Sequence, residues 1–118
     1  MIVLVMGRSG AGKTFACNQL NLPGAYFNAD KVRTMFDDWD FSHAGRLRQV
    51  TRMKSLCDMS TSAINVVDMI CPLKEMRAIL KPDVIVYLKH PGNRIFKNTD
   101  SIFEEPTEDE CKKLYIIS

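Results

Sequence analysis

Six consecutive apolar residues, Met1-Ile2-Val3-Leu4-Val5-Met6, stop at Gly7, and Arg8-Ser9-Gly10-Ala11-Gly12-Lys13-Thr14 follows. A run that is apolar at every position, rather than every second one, suits a central parallel strand buried on both faces. Lys13 to Leu20 then carries Phe15, Ala16 and Leu20 at helical spacing, and Asn21-Leu22-Pro23-Gly24 closes that segment with turn chemistry. Strand, glycine-bearing loop and helix in that order restrict the chain to an α/β sheet built outward from this strand.

Gly7, Gly12, Lys13 and Thr14 satisfy the pattern G-x-x-x-x-G-K-[S/T] without departure, directly between a buried strand and a helix. Glycines let successive main-chain N–H groups turn inward as an anion nest, and the first turn of the helix adds its own free N–H groups and dipole. Gly7, Arg8, Ser9, Gly10, Ala11, Gly12, Lys13 and Thr14 are therefore expected to cradle the phosphates of ATP or a close relative. Lys13 is expected to reach the outer phosphates and the Thr14 hydroxyl to ligate Mg²⁺.

The remaining pattern alternates. Ala25-Tyr26-Phe27-Asn28 reads as a short strand, and Asp30 as a cap for a helix that includes Val32, Met35 and Phe36. Leu47, Val50, Met53 and Leu56-Cys57 predict a long amphipathic helix from Ser42 to about Ser60, with its basic residues on the other faces. Ala63 to Met69 is the next buried strand, Pro72 belongs in the first turn of a helix through Ile79-Leu80, and Val84 to Leu88 is another strand. Cys111 to Ile117 reads as either a helix or a last strand. The expectation is one domain over residues 1–118, a three-layer α/β/α sandwich around a mostly parallel sheet, with its binding crevice at the carboxyl ends of the strands.

Charge and composition narrow the partners. A net charge of +2 is too small for a dedicated nucleic-acid binder, so a small anionic molecule is the better match. Cys17, Cys57, Cys71 and Cys111 form no Cys-x-x-Cys pair and have no histidine at metal-ligand spacing, which argues for reduced thiols rather than zinc or redox chemistry. The longest apolar run falls far short of the ~20 residues of a membrane-spanning helix. A cytoplasmic protein without a membrane or nucleic-acid partner is expected.

Phosphoryl transfer demands positioning and charge neutralisation more than covalent work. Asp30, at the end of the second strand, would face the same crevice as the glycine loop. It either accepts a proton from an acceptor hydroxyl, or caps its helix, or does both. Arg33, one turn along, and Arg46 are candidate forks for an anionic acceptor, the alternative being solvated surface charge. Asp68 ends a hydrophobic strand where a carboxylate would hold Mg²⁺ through water, or it is a plain polar strand end. Phe41 and Phe96 are either base-stacking platforms or core residues.

Taken in order, these residues resemble the adenylylsulfate kinase family, which phosphorylates the 3′-hydroxyl of adenosine 5′-phosphosulfate. Asp30-Lys31-Val32-Arg33 is similar to that family's Asp-Asn-Val-Arg, and Asp40-Phe41-Ser42 with downstream Arg46 is similar to its Gly-Phe-Ser segment and arginine. Ile70-Cys71-Pro72 is similar to its Ile-Ser-Pro, with Cys71 in place of serine. Phe96 to Pro106 is similar to its Phe-Thr-Gly-Ile-Asp-Ser-Pro-Tyr-Glu-x-Pro. The resemblance implies an ATP- and Mg²⁺-dependent kinase of a small nucleotide acceptor, with Lys13 and Asp30 catalytic, and homodimer formation is consistent with it. It further implies that Asp30, Arg33, Phe41, Arg46, Gln49, Ile70, Cys71 and Phe96 contact the acceptor, Gln49 taking the place of a helix-borne asparagine. The chain also departs from the family. Asn28 stands where it has the first acid of Asp-Gly-Asp, and only His90-Pro91-Gly92-Asn93-Arg94-Ile95 stands in place of a longer basic lid. A different acceptor, or a nucleotide-binding module of weak activity, is the alternative these departures leave open.

Overall fold

The run Ile2–Gly7 is a strand, β1, buried at every position. The structure, a computed structural model, describes residues 1–8, 11–89 and 102–117. After β1 come α1 (Lys13–Leu20), β2 (Ala25–Asn28), α2 (Ala29–Phe36), α3 (His43–Met59), β3 (Asn65–Asp68), α4 (Lys74–Leu80) and β4 (Val84–Leu88). A short 3₁₀ turn (Glu108–Glu110) and β5 (Lys113–Ile117) complete the described elements.

The strands form one sheet in the order β2-β3-β1-β4-β5, and every pairing is parallel. This places β1 at the centre, which explains why its sequence does not alternate. Leu4 and Met6 face one side, against Val32 of α2, Val50 and Met53 of α3, and Met76 and Leu80 of α4. Val3 and Val5 face the other, against Cys17 of α1. The three-layer sandwich expected from the sequence is the one observed. No described helix is long and apolar enough to cross a membrane.

Parallel strands put all their carboxyl ends on one rim. Gly7, Asn28, Asp68 and Leu88 lie there, while the opposite rim is closed by main-chain bonds such as Asn65 N–H to Met1 O (2.8 Å) and Asp83 N–H to Ile2 O (2.9 Å).

Four expectations change or resolve at element ends. The cap of α2 is Asn28, whose side chain accepts from Lys31 N–H at 3.1 Å, so Asp30 sits inside the first turn and is not the cap. Pro72 lies outside α4. Cys71 takes a left-handed conformation (φ 49°) and Leu73 an extended one, so the first helical bond runs from Arg77 N–H to Leu73 O. The basic residues of α3 are not all on outer faces: Arg46 is buried, one turn before Gln49 and Val50 on the stripe that continues to Met53 and Cys57. The tail from Lys113 is a strand rather than a helix, because it pairs in parallel along the whole of β4.

Candidate functional site

The glycine loop is shaped by what surrounds it. A Cβ on Gly7 would lie 2.9 Å from the Leu88 carbonyl oxygen, so β1 leaves the sheet beside β4 only as glycine. Gly12 has φ 91° and precedes α1 with no side-chain cap, and nothing lies within 4 Å of where its Cβ would be. The start of α1, at Gly12, Lys13 and Thr14, borders an open cavity, as an anion cradle requires. Ala11 N–H donates to Arg8 O at 3.0 Å and folds the loop back on itself. Ser9 and Gly10 lie outside the described residues.

Lys13 lies over this cradle, with Nζ 3.4 Å from Arg8 O. Burial holds its ammonium below the usual lysine value, and the carboxylates of Asp68 and Asp30 oppose that shift. Asp68, only 4% exposed, ends β3 opposite Val5 of β1 and Asn28 of β2. Its Oδ2 accepts from Thr14 Oγ1 at 2.9 Å, from Tyr26 Oη at 2.6 Å and from Asn28 Nδ2 at 3.3 Å. The Thr14 hydroxyl and Asp68 carboxylate are hard oxygen donors of the kind Mg²⁺ takes. The described residues contain no group of three or more His, Cys, Asp or Glu side chains that would cage a metal by themselves. Such a sparse set fits an ion shared with a polyphosphate.

A cavity of about 270 Å³ opens between Lys13 and Thr14 on one side and Asp30, Asp68 and Ile70 on the other. A second, of about 40 Å³, shares Asp30 and Ile70 with it and adds Arg33, Phe41, Arg46, Gln49 and Cys71. All the expected acceptor residues except Phe96, which lies outside the described residues, therefore gather at one place. Asp30 stands at the junction of the two cavities, and its carboxylate accepts no hydrogen bond from the described residues.

The arginines are not solvated surface charge. Arg33 and Arg46 are each 5% exposed. Arg33 Nη1 donates to Asp38 O (3.0 Å) and Asp40 O (3.3 Å), and Arg46 Nε donates to Phe41 O (2.8 Å). Both guanidinium groups lie over the Phe41 ring, at 4.4 and 5.5 Å from its centre, so the loop of residues 37–42 is wrapped around two buried cations. Gln49 Nε2 donates to Ala29 O at 2.9 Å and fixes the start of α2, on which Asp30 is carried.

Three residues around the site were given no role by the sequence. Tyr26 reads as an ordinary strand aromatic until β2 is registered against β3. Arg77, 1% exposed, ties Cys71 O to the returning chain at Glu104 and Glu110. Phe103 stacks on Tyr87 and lies beneath the guanidinium of Arg8, 4.6 Å from it. Only a stretch brought back by long-range topology puts Phe103 there.

Cys71 is fully buried, and burial pushes its thiol up to about 12 from 9.0. The unfolded chain therefore releases this proton from about pH 9 upward while the folded chain keeps it. Stability is intact below pH 9 and falls as pH rises toward 12, at about 1.4 kcal/mol per pH unit for one thiol. Urea midpoints at pH 8 and pH 10 in reducing buffer check this: replacing Cys71 by serine should lessen the drop, with the Cys17 thiol, which burial also pushes up to about 12, sustaining part of it.

Five parallel strands, a glycine-bearing loop between the central strand and α1, and helices on both faces define a P-loop kinase fold. No protein-family model matches the sequence, and no curated protein matches it either. Among solved structures, the APS kinase CysC of Mycobacterium tuberculosis in complex with AMPPNP and APS is similar with a TM-score of 0.69 and 16% identity, over 98% of this chain and 87% of that one. Kti12 of Chaetomium thermophilum, in complex with ADP-AlF3, is similar with a TM-score of 0.60 and 14% identity, over 100% and 89%. Shikimate kinase of Acinetobacter baumannii, in complex with shikimate, gives 0.56 and 14%, over 96% and 81%. At these identities the likeness establishes the fold and leaves the chemistry to be argued from the residues.

Proposed function

We propose that this protein is an ATP-dependent kinase that moves the γ-phosphate to a hydroxyl of a small molecule, adenosine 5′-phosphosulfate being the leading acceptor. The observation that carries this reading is Asp30, which lines both the cavity of the glycine loop and the cavity of the arginine pair. A donor held at Lys13 and an acceptor held at Arg33, Phe41 and Arg46 would meet beside this carboxylate.

In this mechanism the amides at the start of α1 hold the polyphosphate and the Lys13 ammonium meets its outer oxygens. Thr14 and Asp68 would hold Mg²⁺, whose contribution when bound is to neutralise charge on the phosphates. Asp30 orients the acceptor hydroxyl and takes its proton. Arg33 and Arg46 supply positive charge for an anionic acceptor while they shape the Phe41 loop, and Gln49 keeps Asp30 in place. The matches of Asp30 to Arg33, of Phe41-Ser42 with Arg46 and of Ile70 to Pro72 to the adenylylsulfate kinase pattern favour this acceptor, and an APS kinase bound to AMPPNP and APS shares the fold.

A second reading, a nucleotide-binding module of weak transfer activity, is favoured by the size of the acceptor-side cavity. About 40 Å³ is too little for a nucleotide, so an acceptor of that size needs the neighbouring space of about 360 Å³ beside Phe41 and Arg46 as well. Incubation with Mg²⁺-ATP and a panel of acceptors, following phosphorylated product rather than ADP, separates the two. Asp30→Asn is expected to lower kcat on the order of 10²-fold with ADP binding unchanged. Full turnover by that variant would refute the role of Asp30, and product with none of the acceptors would refute the kinase assignment.

A further inference from the structure

Asp68 has a closer neighbour than Thr14. The Tyr26 hydroxyl lies 2.6 Å from Oδ2, in the range of a charge-assisted O–H···O⁻ bond, against 2.9 Å for Thr14 Oγ1 and 3.3 Å for Asn28 Nδ2. The Tyr26 ring is 41% exposed on the outermost strand β2, so packing alone does not account for its direction.

Asn28 locks the arrangement. Its Oδ1 accepts from Lys31 N–H as the cap of α2, which settles that Nδ2 is the end turned toward Tyr26 Oη and Asp68 Oδ2, at 3.3 Å from each. The Tyr26 hydroxyl therefore accepts from Asn28 and spends its own proton on Asp68. One continuous chain of bonds runs from the first turn of α2 through Asn28 and Tyr26 to the carboxylate. All three donors fall on Oδ2, and no described residue donates to Oδ1.

We propose that Tyr26 is a positioning residue for the metal: it fixes the rotamer of Asp68 so that the carboxylate is set beside Thr14 before Mg²⁺-nucleotide arrives. The inference rests on the kinase reading and extends it to a residue that no motif marks. A carboxylate held by outer partners loses less freedom on meeting an ion, and removal of such partners typically costs 10–100-fold in metal affinity.

The test is ADP binding by calorimetry in Mg²⁺ and in EDTA, for the unaltered protein, Tyr26→Phe and Asp68→Asn, with Mn²⁺ resonance on the ADP complexes as a second readout. Tyr26→Phe keeps the ring and deletes one hydroxyl. It is expected to reduce the Mg²⁺-dependent gain in ADP affinity about 10-fold, leave affinity in EDTA unchanged and weaken Mn²⁺ binding in parallel, with Asp68→Asn lowering the gain at least as far. An undiminished gain in Tyr26→Phe beside a reduced one in Asp68→Asn overturns the role of Tyr26 alone. Absence of ADP uptake by the unaltered protein overturns it together with the kinase reading.

Discussion

Lys13→Ala is expected to lose ~10³-fold or more in kcat/KM for phosphoryl transfer and most of the affinity for ADP, while the ligand-free protein stays folded. The ammonium is held in a part-buried place where desolvation already outweighs its attraction to Asp68 and Asp30. Its one described hydrogen bond is long, 3.4 Å to Arg8 O. A cation kept at such a cost, on the wall of an open cavity, gains a full partner only when an anion enters. Alanine removes that partner and also the desolvation cost, so thermal unfolding without ligand should change by no more than about 1 kcal/mol. Calorimetry with ADP and a melting curve on the same sample check both halves. Unchanged ADP affinity would mean that the loop does not hold the polyphosphate.

Arg77→Met is expected to have the largest effect on stability, about 3–5 kcal/mol, out of the roughly 5–15 kcal/mol that holds a domain together. The Arg77 side chain is fully buried and bonds to Glu110 Oε1 (2.6 Å), Cys71 O (2.8 Å) and Glu104 O (2.9 Å). Methionine fills much of the same space but takes the donor from two carbonyls and from Glu110 Oε1, leaving that carboxylate only its Thr107 bonds at Oε2. The double substitution Arg77→Met with Glu110→Leu removes the stranded charge as well, so it should recover part of the loss. Urea unfolding of the two variants measures the difference. A loss below 1 kcal/mol for Arg77→Met would show that the returning segment is held by other contacts.

Much of the framework was legible because local periodicity and tertiary role agree there. β1 is apolar at every position because both of its faces are covered, and α1, β2 and β4 have the bounds that their apolar pattern and turn residues imply. Agreement failed where a long-range partner overrides local preference. Asn28 takes the cap of α2 from Asp30 because β3 holds the end of β2 in register. Arg46 lies on the buried stripe of α3 because the Phe41 loop supplies a carbonyl and a ring for its guanidinium. Pro72 is excluded from α4 by the left-handed Cys71 before it, whose carbonyl Arg77 holds.

The candidate site divides in the same way. The glycine loop is a contiguous motif and could be read directly, whereas the neighbours of Asp68 come from two separate segments, α1 and β2. Tyr26 and Asn28 on one strand reach Asp68 on the next only through the parallel register Asn28 to Asp68. Nothing in the spacing of positions 26, 28 and 68 announces such a meeting.

Because all five strands point the same way, the molecule has a working end and a quiet end. Met1, Asn65 and Asp83 belong to the quiet one, where main-chain bonds knit the strand beginnings together far along the sheet from Lys13 and Asp30. Dyes, tethers or stabilising substitutions added there would leave the proposed transfer site alone, so robustness and the proposed activity could be tuned from opposite poles of one small sheet.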